Sequence, residues 1–328
     1  MDERIRDDLE KSYGIMSHSI ETVVGGYLNR KWKISTDRGT FLVKQYSAKR
    51  FDNRDIEAIE SRLQRQILLR EMGVCCPVLL QCGGRVIRRL DDETAYMVME
   101  FCEGSTQSAE AATIAQMRNL GEACAVMHSA FSQLREPLPG DLPTFGGYTL
   151  DALWENYNRR AKECTTVMAD AMNTADMEYC KALCAMEPIL KQIEVGFFDR
   201  CNKGLAHEDF QAGNILFSEE EVSAIVDFDR NCYSFPLHDV GRALMSFALE
   251  GGALNTEKAR AFAEGYARRL SLTAADIANA LWLTWCIETP WWIQPEFFEE
   301  CDAVPRRFRE EMLWLTEHWF ALDAILVD

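Results

Sequence analysis

LAHEDFQAGNILF, residues 205–217, sets a His, two acids, a Gln and an Asn between apolar ends. A surface turn could look like this, and so could a polar loop held between two buried segments. The residues downstream favour the loop. Asp209 and Asn214 stand five apart, and Asp227 follows thirteen residues later at the end of Ala224-Ile225-Val226. Magnesium-dependent phosphoryl transfer uses these groups in this order: an Asp to take a hydroxyl proton, an Asn to reach the metal, a second Asp after a short strand to chelate it. Mg²⁺ wants hard oxygen ligands while keeping water and phosphate in its shell. The base must be a separate carboxylate, not one neutralised on the metal.

Upstream, residues 20–45 alternate as β-strands do, with a turn at Asp37-Arg38-Gly39, and Lys44 lies in the run TFLVKQY. A helix follows, with Ile56, Ile59, Leu63 and Ile67 at three- and four-residue spacing and Gly73 at its end. VLLQCGG and ETAYMVMEF read as two more strands. Beyond Glu103-Gly104-Ser105 helix dominates, interrupted by the Pro- and Gly-rich stretch REPLPGDLPTFGGYT and by the loop and short strands around Asp209 and Asp227. The expected architecture is α+β: an antiparallel sheet with one inserted helix, then a larger, mainly helical part.

His207-Glu208-Asp209…Asn214, Asp227-Phe228-Asp229 and His238-Asp239 resemble the aminoglycoside phosphotransferase and choline kinase group of small-molecule kinases. Bacterial relatives of similar look include type II homoserine kinases and spore-coat proteins of the CotS kind. The resemblance runs nearly the whole chain and implies a bilobal, protein-kinase-like fold, with residues 1–101 as nucleotide-binding lobe and 102–328 as helical lobe. It implies ATP and Mg²⁺ as cofactors and a small-molecule hydroxyl as acceptor. It makes Asp209 the catalytic base and Asn214 and Asp227 the metal ligands. Lys44 would contact the α- and β-phosphates. Gly25, Gly26 and Asn29 belong to the turn over the phosphates, where glycine lets backbone N–H groups come close. Glu100, Phe101 and Cys102 belong to the connector that reads adenine through its backbone. His207 would pack under the loop and Asp239 would brace it; His238 reads as structural or incidental. An acid on the inserted helix should pair with Lys44. Glu57 and Glu60 share one face, and Glu60 is preferred. Glu208 departs from the family, where Gly is usual.

Composition bounds the rest. The net charge is −17, with 16 of 52 acids and 17 of 35 bases in residues 1–100, so the remainder carries 36 and 18. Nucleic-acid binding, which wants Lys and Arg stripes, is excluded on this balance. The acidic part could draw in a cationic acceptor, although acid-rich surface ordinarily serves solubility. WLTWCIETPWWIQPEFF, residues 282–298, sets Trp side chains near Glu288 and Glu296, a pairing that can hold ammonium groups, although Trp282 and Trp285 at helical spacing more simply fill a core. The charged N-terminus and short apolar runs indicate a cytoplasmic protein without membrane segments. Twelve scattered cysteines read as reduced, mostly buried thiols.

Two other readings compete. A kinase-shaped scaffold would be supported by Glu208, but would not need Lys44, Asp209, Asn214 and Asp227 together. A protein kinase would carry a long segment ending in Ala-Pro-Glu after the second Asp, whereas RNCYSFPLHDVGRAL runs straight into a helix.

Overall fold

The computed structural model describes residues 1–23, 29–49, 51–134, 148–167, 173–299 and 301–325. Gly25 and Gly26 lie outside the described residues.

An N-terminal helix α1 (Glu3–Tyr13), not anticipated from the sequence, starts where Asp2 accepts the Arg4 N–H and stops at Gly14, whose φ of 63° only glycine adopts at no steric cost. Its Ile5 and Leu9, one turn apart, pack on the sheet against Trp32, Ile34, Val43 and Val98. The sheet is fully antiparallel, in the order β1 (Ser19–Thr22), β2 (Arg30–Thr36), β3 (Gly39–Ser47), β5 (Thr94–Glu100) and β4 (Ile87–Arg89). On its other face lies α2 (Asn53–Glu71), which buries Ile56, Ile59 and Leu63 beside Met97 and Met99. Alternate strand residues thus feed two thin cores, one per face. VLLQCGG is not the strand its composition suggests. It touches β5 through a single bridge, Leu79 to Met99, before two glycines of positive φ turn the chain at 83 and 84.

The helical part contains α3 (Ile114–Gln133), α4 (Leu150–Val167), α5 (Thr174–Gln192), α6 (Phe197–Arg200), α7 (Pro236–Ala248), α8 (Thr256–Tyr266), α9 (Ala274–Trp292) and α10 (Ala303–His318). Three short ladders sit among them: β6 (Gly204–Ala206) with β9 (Cys232–Ser234), β7 (Ile215–Ser218) with β8 (Glu221–Ile225), and β10 (Leu249–Glu250) with β11 (Ala253–Leu254). Close helix approach is set by glycine. A Cβ on Gly241 of α7 would lie 2.1 Å from Thr284 Oγ1 and 2.4 Å from the Ala280 carbonyl oxygen, so α7 and α9 meet backbone to backbone. That contact fixes the side chains α7 and α9 present to one another. Cys164 of α4 and Cys180 of α5, whose Cα atoms are 6.0 Å apart, are joined as a disulfide. This corrects the expectation of reduced thiols at that pair, which packing of α4 on α5 brings together across sixteen residues of sequence. No helix of the described residues is long and apolar enough to cross a membrane.

Sheet and helices are stitched at three places near Asp227. Ser105 and Phe217 exchange backbone hydrogen bonds of 3.0 and 2.9 Å, the Ile225 N–H donates to the Cys75 carbonyl at 2.7 Å, and Arg62 of α2 donates to the Asp229 carbonyl at 3.0 Å.

Candidate active site

β6 and α7 position the loop that carries His207, Glu208 and Asp209. Asp239, fully buried on α7, accepts the His207 N–H at 2.7 Å and the Glu208 N–H at 2.9 Å, so one carboxylate satisfies two backbone donors where the chain leaves its strand. The His207 ring lies beneath, 3.1 Å from the Val226 carbonyl and accepting the Asp209 N–H at 3.2 Å. Asn214 Nδ2 donates to the Asp209 carbonyl at 2.9 Å and to its Oδ2 at 2.8 Å. The Val226 N–H donates to the Asn214 carbonyl at 2.9 Å, which brings Asp227 alongside. Asp227 has φ 67°, a left-handed conformation that Asp tolerates better than most residues.

Lys44 reaches this group from β3, 183 residues upstream. Its Nζ lies 2.7 Å from Asp227 Oδ1 and 2.7 Å from Asp229 Oδ2. Tyr46, two residues along the strand, donates to Asp229 Oδ1 at 3.3 Å. Burial works against each of these charges. For Lys44 the two carboxylates outweigh it and hold the ammonium strongly protonated. For Asp227, Lys44 and Lys31 outweigh burial and keep the carboxyl well below its usual range. Asp229 is the loser of the three: burial and the neighbouring Asp227 push it up despite Lys44. Asn214 Oδ1 and Asp227 Oδ2 make no hydrogen bond among the described residues, so one hard oxygen on each remains for a cation. No cluster of three or more His, Cys, Asp or Glu among the described residues could hold a metal alone. The donor set therefore suits Mg²⁺, which takes one or two protein oxygens and completes its shell with phosphate and water.

The acid on α2 does not meet Lys44. Glu60 instead accepts the N–H groups of Val86 and Ile87 at 3.0 and 2.7 Å and a Gln64 donor at 2.7 Å. Glu57 pairs with Arg85 at 2.8 Å. Lys44 already has two acceptors, and Glu60 is consumed capping the turn into β4, so the expected pairing is absent from this structure.

In the connector, the Glu100 N–H donates to the Val78 carbonyl at 2.8 Å and the Phe101 N–H to the Thr40 carbonyl at 3.0 Å. Cys102 makes no hydrogen bond among the described residues, so its backbone groups are available. Asn29 accepts the Ser47 N–H at 3.3 Å and so fastens the start of β2 to the end of β3.

The aromatic run divides as its spacing suggests. Trp285 is fully buried and donates to Thr316 at 2.8 Å, and Trp282 donates to the Trp319 carbonyl at 3.2 Å. Trp292 donates to Glu288 Oε2 at 2.5 Å. Trp291 alone faces solvent. It lines a cavity of about 430 Å³ between α4 and α9 with Tyr148, Asn156, Arg159 and Gln294. The Tyr148 hydroxyl lies within electrostatic reach of Glu208, Arg230 and Glu288, which connects that cavity to the loop. Sequence reasoning passed over Arg230. The residue is exposed, makes no hydrogen bond or ion pair among the described residues, and is held further in its charged form by Asp209, Glu288 and Glu208.

A five-stranded sheet set over a helical half, with a His-x-Asp loop and a strand-ending Asp between them, is the architecture of small-molecule kinases with a protein-kinase-like fold. The chain belongs to the phosphotransferase enzyme family, APH, whose family model matches residues 19–273. It is 26% identical over 261 residues to a homoserine kinase of Sinorhizobium medicae, covering 79% of this chain and 73% of that protein. A homoserine kinase of Rhizobium meliloti is 27% identical over the same length and shares. Among solved structures, an amicoumacin kinase in complex with AMP-PNP and Ca²⁺ superposes with TM-score 0.62 at 16% identity, covering 95% of this chain and 93% of that one. A microcompartment-associated aminopropanol kinase gives 0.62 at 15% identity, covering 99% of each. The fold and enzyme class are thus those of kinases that act on hydroxyl groups of small molecules.

Proposed function

We propose that this kinase transfers the γ-phosphoryl group of ATP, with Mg²⁺, to the hydroxyl of a hydroxy amino acid of the homoserine kind. The observation that carries the reading is that Lys44 meets Asp227, and Asp209 meets Asn214, through bonds that join distant points of the chain at one place. Residues 1–101 form the nucleotide lobe and 102–328 the acceptor lobe. In the connector of Glu100, Phe101 and Cys102, the first two are fixed by their N–H bonds to Val78 and Thr40 and Cys102 offers its backbone groups to adenine, and Gly25, Gly26 and Asn29 belong to the turn over the phosphates. Lys44 turns from Asp227 and Asp229 to the α- and β-phosphates. Asn214 Oδ1 and Asp227 Oδ2 hold Mg²⁺, which supplies charge neutralisation on the phosphate oxygens when bound. The acceptor oxygen forms its bond to the γ-phosphorus as the bond to the β-phosphate oxygen breaks, and the hydroxyl proton passes to the Asp209 carboxylate. Asn214, by donating to Asp209 Oδ2, leaves Oδ1 to meet that proton.

Three observations support an acceptor that carries a carboxylate. The homoserine kinases are relatives in sequence, the cavity between α4 and α9 is lined by no acid and by Arg159, which pairs with Glu163, and Arg160, which bonds backbone carbonyls, and Arg230 is an exposed cation within electrostatic reach of Asp209. Glu288, the acid nearest the Trp run, is taken up by other partners, which weakens the case for a purely cationic acceptor. The working compartment would be the cytoplasm.

The test pairs a thermal shift with ATP and Mg²⁺ and a turnover assay on homoserine, an amino alcohol and an aminoglycoside. Homoserine should be phosphorylated fastest. Asp209→Asn should lower kcat by roughly 10²- to 10⁴-fold while the nucleotide shift persists. A parent protein that shows no nucleotide shift would sink the reading.

A further inference from the structure

Glu208 has φ 65°, in the left-handed region that L side chains disfavour. A Glu kept there needs compensation, and its side chain, 4% exposed, is not in solvent to find it. It turns inward. Glu208 Oε1 lies 3.5 Å from His238 Nδ1, and His238 Nε2 lies 3.3 Å from Glu288 Oε1. The imidazole therefore sits between two carboxylates, one on the residue preceding Asp209 and one on α9.

The order continues beyond Glu288. Arg242, one turn on from His238 along α7, lies 3.7 Å from Glu288 Oε1 and 2.8 Å from Glu311 Oε2 of α10. Arg307 closes the line at the surface, 2.9 Å from Glu311 Oε1. Read outward from the loop, the signs alternate: carboxylate, imidazolium, carboxylate, guanidinium, carboxylate, guanidinium. Buried charges persist only when paired. Neither His238 nitrogen makes an aligned hydrogen bond, so its hold on both acids is ionic rather than directional.

We propose that Glu208, His238 and Glu288 form a charge bridge that fastens the catalytic loop to α9, and that Glu208 is through it a positioning residue for Asp209. It rests on the reading of Asp209 as the proton acceptor. The bridge does two things. It anchors the left-handed residue from which Asp209 emerges, and it neutralises a carboxylate that would otherwise stand next to the base. The charged groups facing the imidazole are Glu208 from the loop, Glu288 from α9 and Arg242 from its own helix, with Arg230 within reach of both acids. Burial alone would favour the neutral ring, yet the contacts to Glu208 and Glu288 raise its pKa to about 9.

The test uses the full chain, with ATP, Mg²⁺ and homoserine as probe. His238→Gln leaves Glu208 uncompensated beside the base, and an uncompensated like charge favours protonation. The acid limb of kcat/KM should move up by about half a pH unit or more. Adding Glu208→Gln to that variant removes both charges and should return the limb towards the parent's position. A single-variant profile that superimposes on the parent's, or a double variant no closer to it, overturns the proposal. Should His238→Gln fail to fold, Glu208→Gln decides: kcat should fall roughly tenfold with nucleotide affinity by calorimetry unchanged, and an unaltered kcat overturns it. A parent that turns over no acceptor refutes the reading of function instead. The bridge is then read by unfolding: between about pH 6.5 and 9 the parent should lose melting temperature, because only the folded state holds the imidazolium there, and Glu208→Gln should lose less. Equal losses overturn the bridge.

Discussion

Two groups of charged side chains flank Asp209, and they are built on opposite plans. On the sheet side, Lys44 is shared by Asp227 and Asp229, two acids for one base, and the Asp227 side chain keeps 29% of its surface open. On the helix side, Glu208, His238, Glu288, Arg242 and Glu311 alternate in sign, and none of their side chains exceeds 11%. The first group is short of positive charge and has a spare oxygen on Asp227. The second cancels within itself. A site that must accept and release a cation with phosphates cannot satisfy all its own atoms beforehand, whereas a brace must. Openness to exchange on one side and internal closure on the other divide the labour of a single loop.

The largest effect that could break this contrast comes from opening the closed group. Arg242→Met keeps the bulk of the side chain but leaves Glu288 and Glu311 short of their shared partner. Removing one member of a buried ion pair typically costs about 3–5 kcal/mol. Lys44→Met, by the same count of lost ion pairs, should cost less than half as much, because Asp227 can turn to water. It should abolish turnover all the same. Urea unfolding and a kinase assay on both variants check the pair. Equal losses of stability would mean that the two groups do not differ in kind.

A pH series sharpens the difference, since only one group responds on the alkaline side. His238 has its pKa raised to about 9 in the folded protein, above an unfolded value of about 6.5, so its contribution is complete below the lower value and disappears as pH climbs through the higher. The interval corresponds to at most roughly 3 kcal/mol. Lys44 is held protonated well beyond that range and is silent there. The carboxyls of Asp227 and Glu288 are both depressed, in each case because a basic partner outweighs burial, so both groups weaken as pH drops below the usual carboxylate range. Lys44→Met should therefore lose stability between about pH 6.5 and 9 as steeply as the parent. A flatter curve would place the alkaline transition in the wrong group.

How much of this could be read from the chain itself follows the same line. The open group was legible, because its chemistry demands particular residue types at fixed distances from two short strands: Asp209, Asn214 and Asp227 stand within nineteen residues, and Lys44 lies in an unmistakable strand. The brace was not. His238 looked incidental beside Asp239, and nothing local to Glu288 or Glu311 shows that they face α7, because helical spacing specifies a face and not its neighbour. A sign did exist: Arg242 sits four residues from His238 among apolar residues of α7, where a charge needs a partner. The α1 helix was missed for a different reason. Its two core residues are embedded in a charged stretch that reads as solvated tail, and only the cap pair Asp2 and Gly14 marks its ends. Composition misled at VLLQCGG, where the turn at Gly83-Gly84 is present but the apolar run before it makes a single bridge to β5 and no strand.

The smallest effects concern α2, whose acids sit at the edge of the open group. Glu57→Gln breaks a pair in which both side chains are about half exposed, and exposed pairs contribute roughly 0.2–1 kcal/mol. Glu60→Gln is different in kind. The carboxylate that receives two buried N–H groups, of Val86 and Ile87, becomes an amide that can present only one acceptor oxygen, so one donor loses its partner at about 1–3 kcal/mol. Neither substitution should change the KM for ATP more than about twofold, because Lys44 takes its orientation from Asp227 and Asp229 here. Should Glu60→Gln instead raise that KM several-fold while Glu57→Gln leaves it alone, Lys44 must exchange an aspartate for Glu60 during turnover. The open group would then reach onto α2, one residue further than its resting geometry extends.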